Sequence, residues 1–191
     1  SASLVRKGKS VYSVKTSSKR RHCGEESIRA RKGGESMKFK GPLLVVTDME
    51  KSKDFYREVL GLRVIMDFGA NVMLTGGIFL QTKDTWKDFI NASADEIAFG
   101  GKDGELYFEE DDFDAFIDRI MGMEGIRYVH PVMEHQWGQR AVRFFDPDSR
   151  IIEVGENIQA VCRRFLDSGM TAEETAVRMD VPMEFVNSCL G

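Results

Sequence analysis

From residue 37 onward, apolar and polar positions fall into an order that occurs twice, and each occurrence predicts the same series of elements. Residues 42–47 (PLLVVT) form an apolar run of strand length. Asp48 then precedes a helix over 49–60, in which Phe55, Tyr56, Val59 and Leu60 recur at helical spacing and Gly61 marks the stop. Short strands follow at 63–68, 72–75 and 78–81, separated by Gly69-Ala70-Asn71 and Gly76-Gly77, which are hairpin-turn residues. The first unit therefore reads βαβββ.

The second unit repeats it. Residues 105–110 (ELYFEE) put Leu106 and Phe108 on one face of a strand, and Asp111-Asp112 lead into a helix over 113–121 carrying Phe113, Phe116, Ile117 and Ile120. Strands at 127–130 and 140–145, the turn Asp146-Pro147-Asp148-Ser149 and a strand at 151–155 complete the unit. Placing Asp48 on Asp112 aligns the first strand and helix of the two units, and an offset larger by eight residues aligns Phe79-Leu80-Gln81 with Ile151-Ile152-Glu153. A repeat this long implies two facing copies of one supersecondary unit, neither of which closes a core alone. The predicted fold class is α+β, with modules at 37–90 and 103–156. Residues 157–191 add a helical appendage: a helix to Asp167 stopped near Gly169, a capping-box signature at Thr171 to Glu174, and Pro182 opening a third helix.

Composition changes this picture at one end. The net charge is −4, but residues 1–36 hold ten Lys/Arg against three Asp/Glu, which leaves 17 against 28 in the remainder. The first 36 residues lack apolar periodicity and read as a flexible basic tail, added upstream of a folded part that opens at Met37. The acidic folded part makes a poor non-specific partner for nucleic acid. The third appendage helix carries Glu184 and no Lys or Arg, which argues against DNA readout there too. No run reaches the ~18–20 apolar residues of a membrane span. Cys23, Cys162 and Cys189 show no paired or CxxC spacing, so a reducing, cytoplasmic setting is expected, with Cys162 and Cys189 as buried small hydrophobes.

The segment LLVVTDMEKSKDFYREVLGLRV, through Asp48, Ser52, Phe55, Tyr56, Leu60 and Gly61, resembles the opening of the glyoxalase/bleomycin-resistance/extradiol-dioxygenase proteins, the vicinal oxygen chelate superfamily. RFFDPDSRIIEVGE resembles the closing pattern of that family, with Ser149 where glycine is usual. The resemblance implies two βαβββ modules curving into an open cup, a site inside it, and a homodimer. It also implies four inward metal-ligand positions, which here are Gly41, Gln81, Glu105 and Glu153. Gly41 offers no ligand, and the usual pairs of histidines are missing from these positions. The remaining oxygen donors, Gln81, Glu105 and Glu153, suit Mg²⁺, Mn²⁺ or Ca²⁺ better than Zn²⁺.

Three readings of the carboxylates stay open: an incomplete metal site, a metal-free acid/base pair sharing a proton, or glutamates solvated or bonded to Arg or Lys. In related proteins a similar aromatic-Gly segment lines the cup, which makes Trp137 a stacking wall, Arg140 a charge for an anionic ligand and His135 a proton donor or acceptor. Phe68, Asn71 and Met73 are further lining candidates. The expected function is binding of a small organic molecule, either with lyase or isomerase chemistry next to a carbonyl at Glu105 and Glu153 or without catalysis. A further alternative is an interaction or regulatory protein that works through its C-terminal helices.

Overall fold

The computed structural model describes residues 37–190, and one compact unit takes in the described chain from Lys40 onward. The basic segment 1–36 lies outside the described residues. The chain forms β1 (Leu43–Val46), α1 (Met49–Leu60), β2 (Val64–Asp67), β3 (Asn71–Leu74), β4 (Phe79–Thr82) and α2 (Lys83–Phe89). The order resumes with β5 (Glu105–Glu110), α3 (Phe113–Met121), β6 (Arg127–Glu134), β7 (Arg140–Phe145) and β8 (Ile151–Glu156). Two four-stranded open sheets result, ordered β1-β4-β3-β2 and β5-β8-β7-β6. The first strand of each module pairs in parallel with the last, and every other pairing is antiparallel. A parallel pair cannot be joined by a tight turn, so the helix and the intervening strands serve as the crossover. The expected α+β fold of two βαβββ modules is the fold observed.

Local chemistry sets the helix boundaries. The carboxylates of Asp48 and Asp112 accept the backbone N–H groups of Lys51 (3.0 Å) and Ala115 (3.2 Å), each satisfying a donor that the first helical turn leaves open. Gly61 closes α1 in the left-handed conformation (φ 67°). Strand residues then alternate between two faces. Val46, Val72, Leu74 and Leu80 of the first sheet, Val142, Phe144, Ile152 and Val154 of the second, Tyr56 and Val59 of α1, and Phe116 and Ile120 of α3 are all buried together. These side chains form one continuous core across both modules, with the Phe55 ring edge-on to Phe144. The residues in between, among them Gln81, Glu105, Arg143 and Glu153, occupy the opposite face.

The Asp146-Pro147-Asp148-Ser149 turn latches the modules together. Asp146 is only 1% exposed, and it accepts from Tyr56 Oη (2.9 Å), the Asp148 and Arg150 amides (2.9 and 2.8 Å) and Arg150 Nη1 (3.0 Å). Asp148 accepts from Thr47 Oγ1 (2.6 Å), and the Arg150 guanidinium also donates to the Val45 carbonyl. Burial and the adjoining Asp146 carboxylate push the Tyr56 phenol well above its ordinary range, so it stays a donor. Ser149 adopts φ 66° in this turn, a conformation glycine takes without a Cβ penalty.

Two elements differ from the sequence expectation. β6 continues past 130 to Glu134, because Pro131 falls on an edge strand at a register irregularity, where a missing N–H is tolerated. α2 was not predicted: it has seven residues and no side-chain cap. Beyond β8, α4 (Ile158–Asp167), α5 (Ala172–Met179) and α6 (Met183–Cys189) pack around a second core of Val161, Cys162, Ala176, Met179 and Val186. The capping box at Thr171 and Glu174 forms as the sequence implies. Among the described residues, no helix is long and apolar enough to cross a membrane.

Candidate functional site

On the face away from α1 and α3, β7 and β8 place Arg143 directly opposite Glu153. The guanidinium bonds Glu153, donates to Glu105 through Nε (2.8 Å), and holds Nη1 3.4 Å from His130 Nε2. His130 Nδ1 lies 2.7 Å from the Pro131 carbonyl, so the hydrogen-bond pattern fits an imidazole that donates from Nδ1 and accepts at Nε2. Glu153 is buried and Glu105 partly exposed, and one shared cation offsets the repulsion between them. Arg143 is the residue that sequence reasoning missed. Its signal was there in the alternation of β7, which puts 143 on the Glu153 face and 140 on the helix-facing side.

Gln81 is buried in the first module and bonded through both amide atoms: its carbonyl oxygen accepts from Asn71 Nδ2 (2.8 Å) and its amide nitrogen donates to Thr85 Oγ1 at the start of α2. It shares no hydrogen bond with Glu105 or Glu153. Gly41 precedes β1 at φ 138°, and a Cβ there would stand 1.7 Å from the Gly77 carbonyl oxygen, so position 41 cannot carry a ligand without moving the backbone. The residues implied as metal ligands therefore do not fit a metal centre. Two carboxylates are tied to an arginine, the amide is bonded on both sides, and the fourth position is closed by packing. Among the described residues, no group of three or more His, Cys, Asp or Glu is placed to hold a metal ion.

The remaining candidates are dispersed. Arg140 points to the helix side, where it binds Glu156 and donates to Asp114 (2.7 Å) over the Phe113 ring. The rings of His135 and Trp137 stack at 4.4 Å in the β6–β7 turn, with Trp137 Nε1 donating to Gln139 (3.1 Å). The appendage grips that turn: Arg164 donates to the Gly138 carbonyl (2.6 Å), and a Cβ on Gly138 (φ 89°) would meet the Phe165 ring at 2.2 Å. Phe68 is 71% exposed in the β2–β3 turn.

A cleft of about 590 Å³ opens between β1 and β5, beneath α2 and the segment after it. Leu43, Val45, Trp86, Ile90, Ile97 and Phe99 supply its apolar wall, and Glu96, Asp103 and Glu105 bring carboxylates to it. Arg150 also lines the cleft, but it is paired with Asp146 and Asp148. Hydrogen bonds from Ser93 hold the Glu96 carboxyl below its ordinary range, so it is ionised at neutral pH. Of the sequence candidates, only Glu105 borders this cleft.

Two βαβββ modules sharing one core, with a polar face opposite their helices, define a known class of fold, and comparison places the chain within it. A profile of the glyoxalase-like domain matches residues 39–159, and the chain belongs to that family. A crystal structure of a protein of unknown function from Agrobacterium tumefaciens strain C58 is 35% identical, with 65% of this chain and 98% of that one covered and a TM-score of 0.57. A lactoylglutathione lyase from Agrobacterium tumefaciens is 25% identical, with 65% and 96% covered and a TM-score of 0.50. A glyoxalase/bleomycin resistance protein/dioxygenase from Nocardioides shares the fold at 19% identity, with 64% and 85% covered and a TM-score of 0.53. No curated protein matches the sequence.

Proposed function

We propose that this protein binds a small organic cation with an aromatic or apolar body in the cleft between β1 and β5, without a metal. The observation that carries this reading is the Glu105–Arg143–Glu153 cluster, in which a side-chain cation already occupies both carboxylates. The cleft beside it joins an aromatic and aliphatic wall to carboxylates at Glu96 and Asp103. Such a lining favours a ligand with a π-face or alkyl body and a positive charge.

Calorimetric titration with Mn²⁺, Mg²⁺, Ca²⁺, Ni²⁺ and Zn²⁺ is expected to show no saturable binding that a Glu105→Gln, Glu153→Gln double variant loses. Tryptamine is expected to raise the melting temperature more than indole-3-acetate, which carries the same ring with the opposite charge, and Trp86→Ala is expected to shrink that rise by weakening tryptamine's affinity about tenfold or more. Metal binding lost in the double variant, or a preference for the carboxylate probe, would sink the reading.

A catalytic reading keeps one point of support. Glu105 is both exposed to the cleft and bonded to Arg143, so it could take up a proton next to a substrate carbonyl while Glu153 and Arg143 position it. The lactoylglutathione lyase among the relatives is consistent with chemistry of that kind. Turnover of any bound carbonyl compound should then fall at least a hundredfold in Glu105→Gln with little change in binding.

The proposal also includes a second copy of the chain. Strands β2 and β6 end their sheets with Ile65, Met66, Val132 and Met133 exposed, an arrangement that single chains seldom leave uncovered. Sedimentation at micromolar concentration should give a dimer that Ile65→Lys or Val132→Lys dissociates. A monomer in the unsubstituted protein would count against it.

A further inference from the structure

A second cavity, of about 360 Å³, lies between the start of α1, the chain entering β6, and the turn between β7 and β8. Phe55, Phe145 and Pro147 give it apolar walls, and Lys51, Arg127 and Ser149 bring polar side chains to it. It shares no lining residue with the cleft between β1 and β5. Asp146 also borders it, but that carboxylate is taken up by Tyr56, two backbone amides and Arg150.

Arg127 is held in place without being neutralised. Its guanidinium lies 5.3 Å from the centre of the Phe145 ring, and Nη2 donates to the Asp146 carbonyl (3.1 Å) and to Ser149 Oγ (3.0 Å). Its Nε and Nη1 groups make no hydrogen bond among the described residues. Ser149, as the acceptor of the Arg127 bond, keeps its own O–H to donate. Lys51 stands in the first turn of α1, where a cation adds to the positive end of the helix. Neither Lys51 nor Arg127 pairs with a carboxylate among the described residues. The acidic side chains nearby in sequence are committed elsewhere: Asp48 to the Lys51 amide, Glu50 to Lys53 (2.7 Å), and Asp148 to Thr47.

We propose that this cavity binds a small aryl phosphate monoester, with the phosphate on Lys51, Arg127 and Ser149 and the ring against Phe55 and Pro147. Two cations without a carboxylate partner match a phosphate monoester, which carries about −1.5 to −2 near neutral pH; a carboxylate would leave one of them uncompensated. The volume lies within the range of about 300–1,000 Å³ that small-molecule pockets occupy. Because the Arg127 guanidinium is already positioned by the ring and two acceptors, little ordering cost remains for the ligand to meet.

The test titrates the full, isotope-labelled chain with phenyl phosphate, and separately with inorganic phosphate, and follows amide shifts by NMR. Saturable shifts are expected at 51–55, 125–127 and 145–149, with phenyl phosphate binding about tenfold or more tighter than inorganic phosphate, since only the ester brings a ring to the apolar wall. Lys51→Glu places an acidic residue where a helix favours one, so the fold should persist in the same spectra while affinity falls about tenfold or more. Arg127→Lys keeps the charge but loses the planar fork, and should weaken binding about threefold or more. Lys51 makes no side-chain bond among the described residues, so Lys51→Glu decides the matter even where Arg127→Lys disturbs the turn. Shifts confined to residues 1–36 would assign the phosphate to the basic segment and overturn the proposal. So would an affinity unchanged in Lys51→Glu, or equal affinity for the two phosphates.

Discussion

Asp146→Ala is expected to lower stability by about 3–5 kcal/mol, because it removes one partner from a buried ion pair and leaves the other uncompensated. The carboxylate is the common acceptor for the Tyr56 hydroxyl, two backbone amides and the Arg150 guanidinium, and it sits where the two modules share their core. Its loss strands Arg150 with Asp148 at 3.7 Å and the Val45 carbonyl, and leaves the Tyr56 hydroxyl buried without an acceptor. For a domain of this size the melting temperature should fall by roughly 6–20 °C. Tyr56→Phe deletes one hydrogen bond and keeps the ring, so it should cost only about 1–2 kcal/mol. Urea denaturation of both variants checks the pair. A loss below about 1 kcal/mol for Asp146→Ala would show that the turn does not join the modules as described.

The second large effect is expected at the base of the appendage. Glu156 is 3% exposed and accepts from Arg140 Nε and Nη2 and from Arg164 Nε and Nη2 at 2.9–3.1 Å. Burial by itself raises the carboxyl, but the hydrogen bonds and charges of Arg140 and Arg164 outweigh it, and the net shift is downward. Because the folded value is depressed, this contribution is complete above the unfolded value near 4.5 and is lost as pH falls through the lower folded value. Glu156→Gln keeps the shape but leaves two guanidiniums on a neutral acceptor, at an expected cost of about 3 kcal/mol. The damage should be local. Hydrogen exchange over 158–190 should quicken in the variant already at neutral pH, and in the unsubstituted protein only as pH falls below 4.5 toward the depressed folded value. Equal protection in both proteins at pH 7 would show that packing alone holds α4–α6 in place.

Most of the element order was legible from the chain itself. Apolar spacing, Asp48 and Asp111-Asp112 ahead of their helices, Gly61 as a stop and the Thr171–Glu174 capping box are signals carried by residues within a few positions of one another, and the elements they mark form. Helices of this kind are specified locally, because caps and periodicity act within one or two turns. α2 escaped for the complementary reason. It is one of the shortest helices, has no cap of its own, and its Thr85 bonds Gln81 on β4, so it owes its place to the sheet that it covers.

The site was another matter. The family resemblance pointed to Gln81, Glu105 and Glu153, and these lie on the face away from the helices; what their side chains touch depended on strand register. Arg143 meets Glu153 because β7 and β8 pair in one particular alignment, and it meets Glu105 because β5 lies on the far side of β8. Arg140, three residues earlier, falls on the opposite face and belongs to Glu156 instead. By itself the sequence determined the two modules, their order, the helix caps and the presence of an appendage. Only the tertiary structure decided that the carboxylates share an arginine and that Asp146 joins the modules. The physical reason is range: backbone geometry reads neighbours along the chain, whereas charge pairing and close packing read neighbours in space, here from 10 to about 100 positions apart.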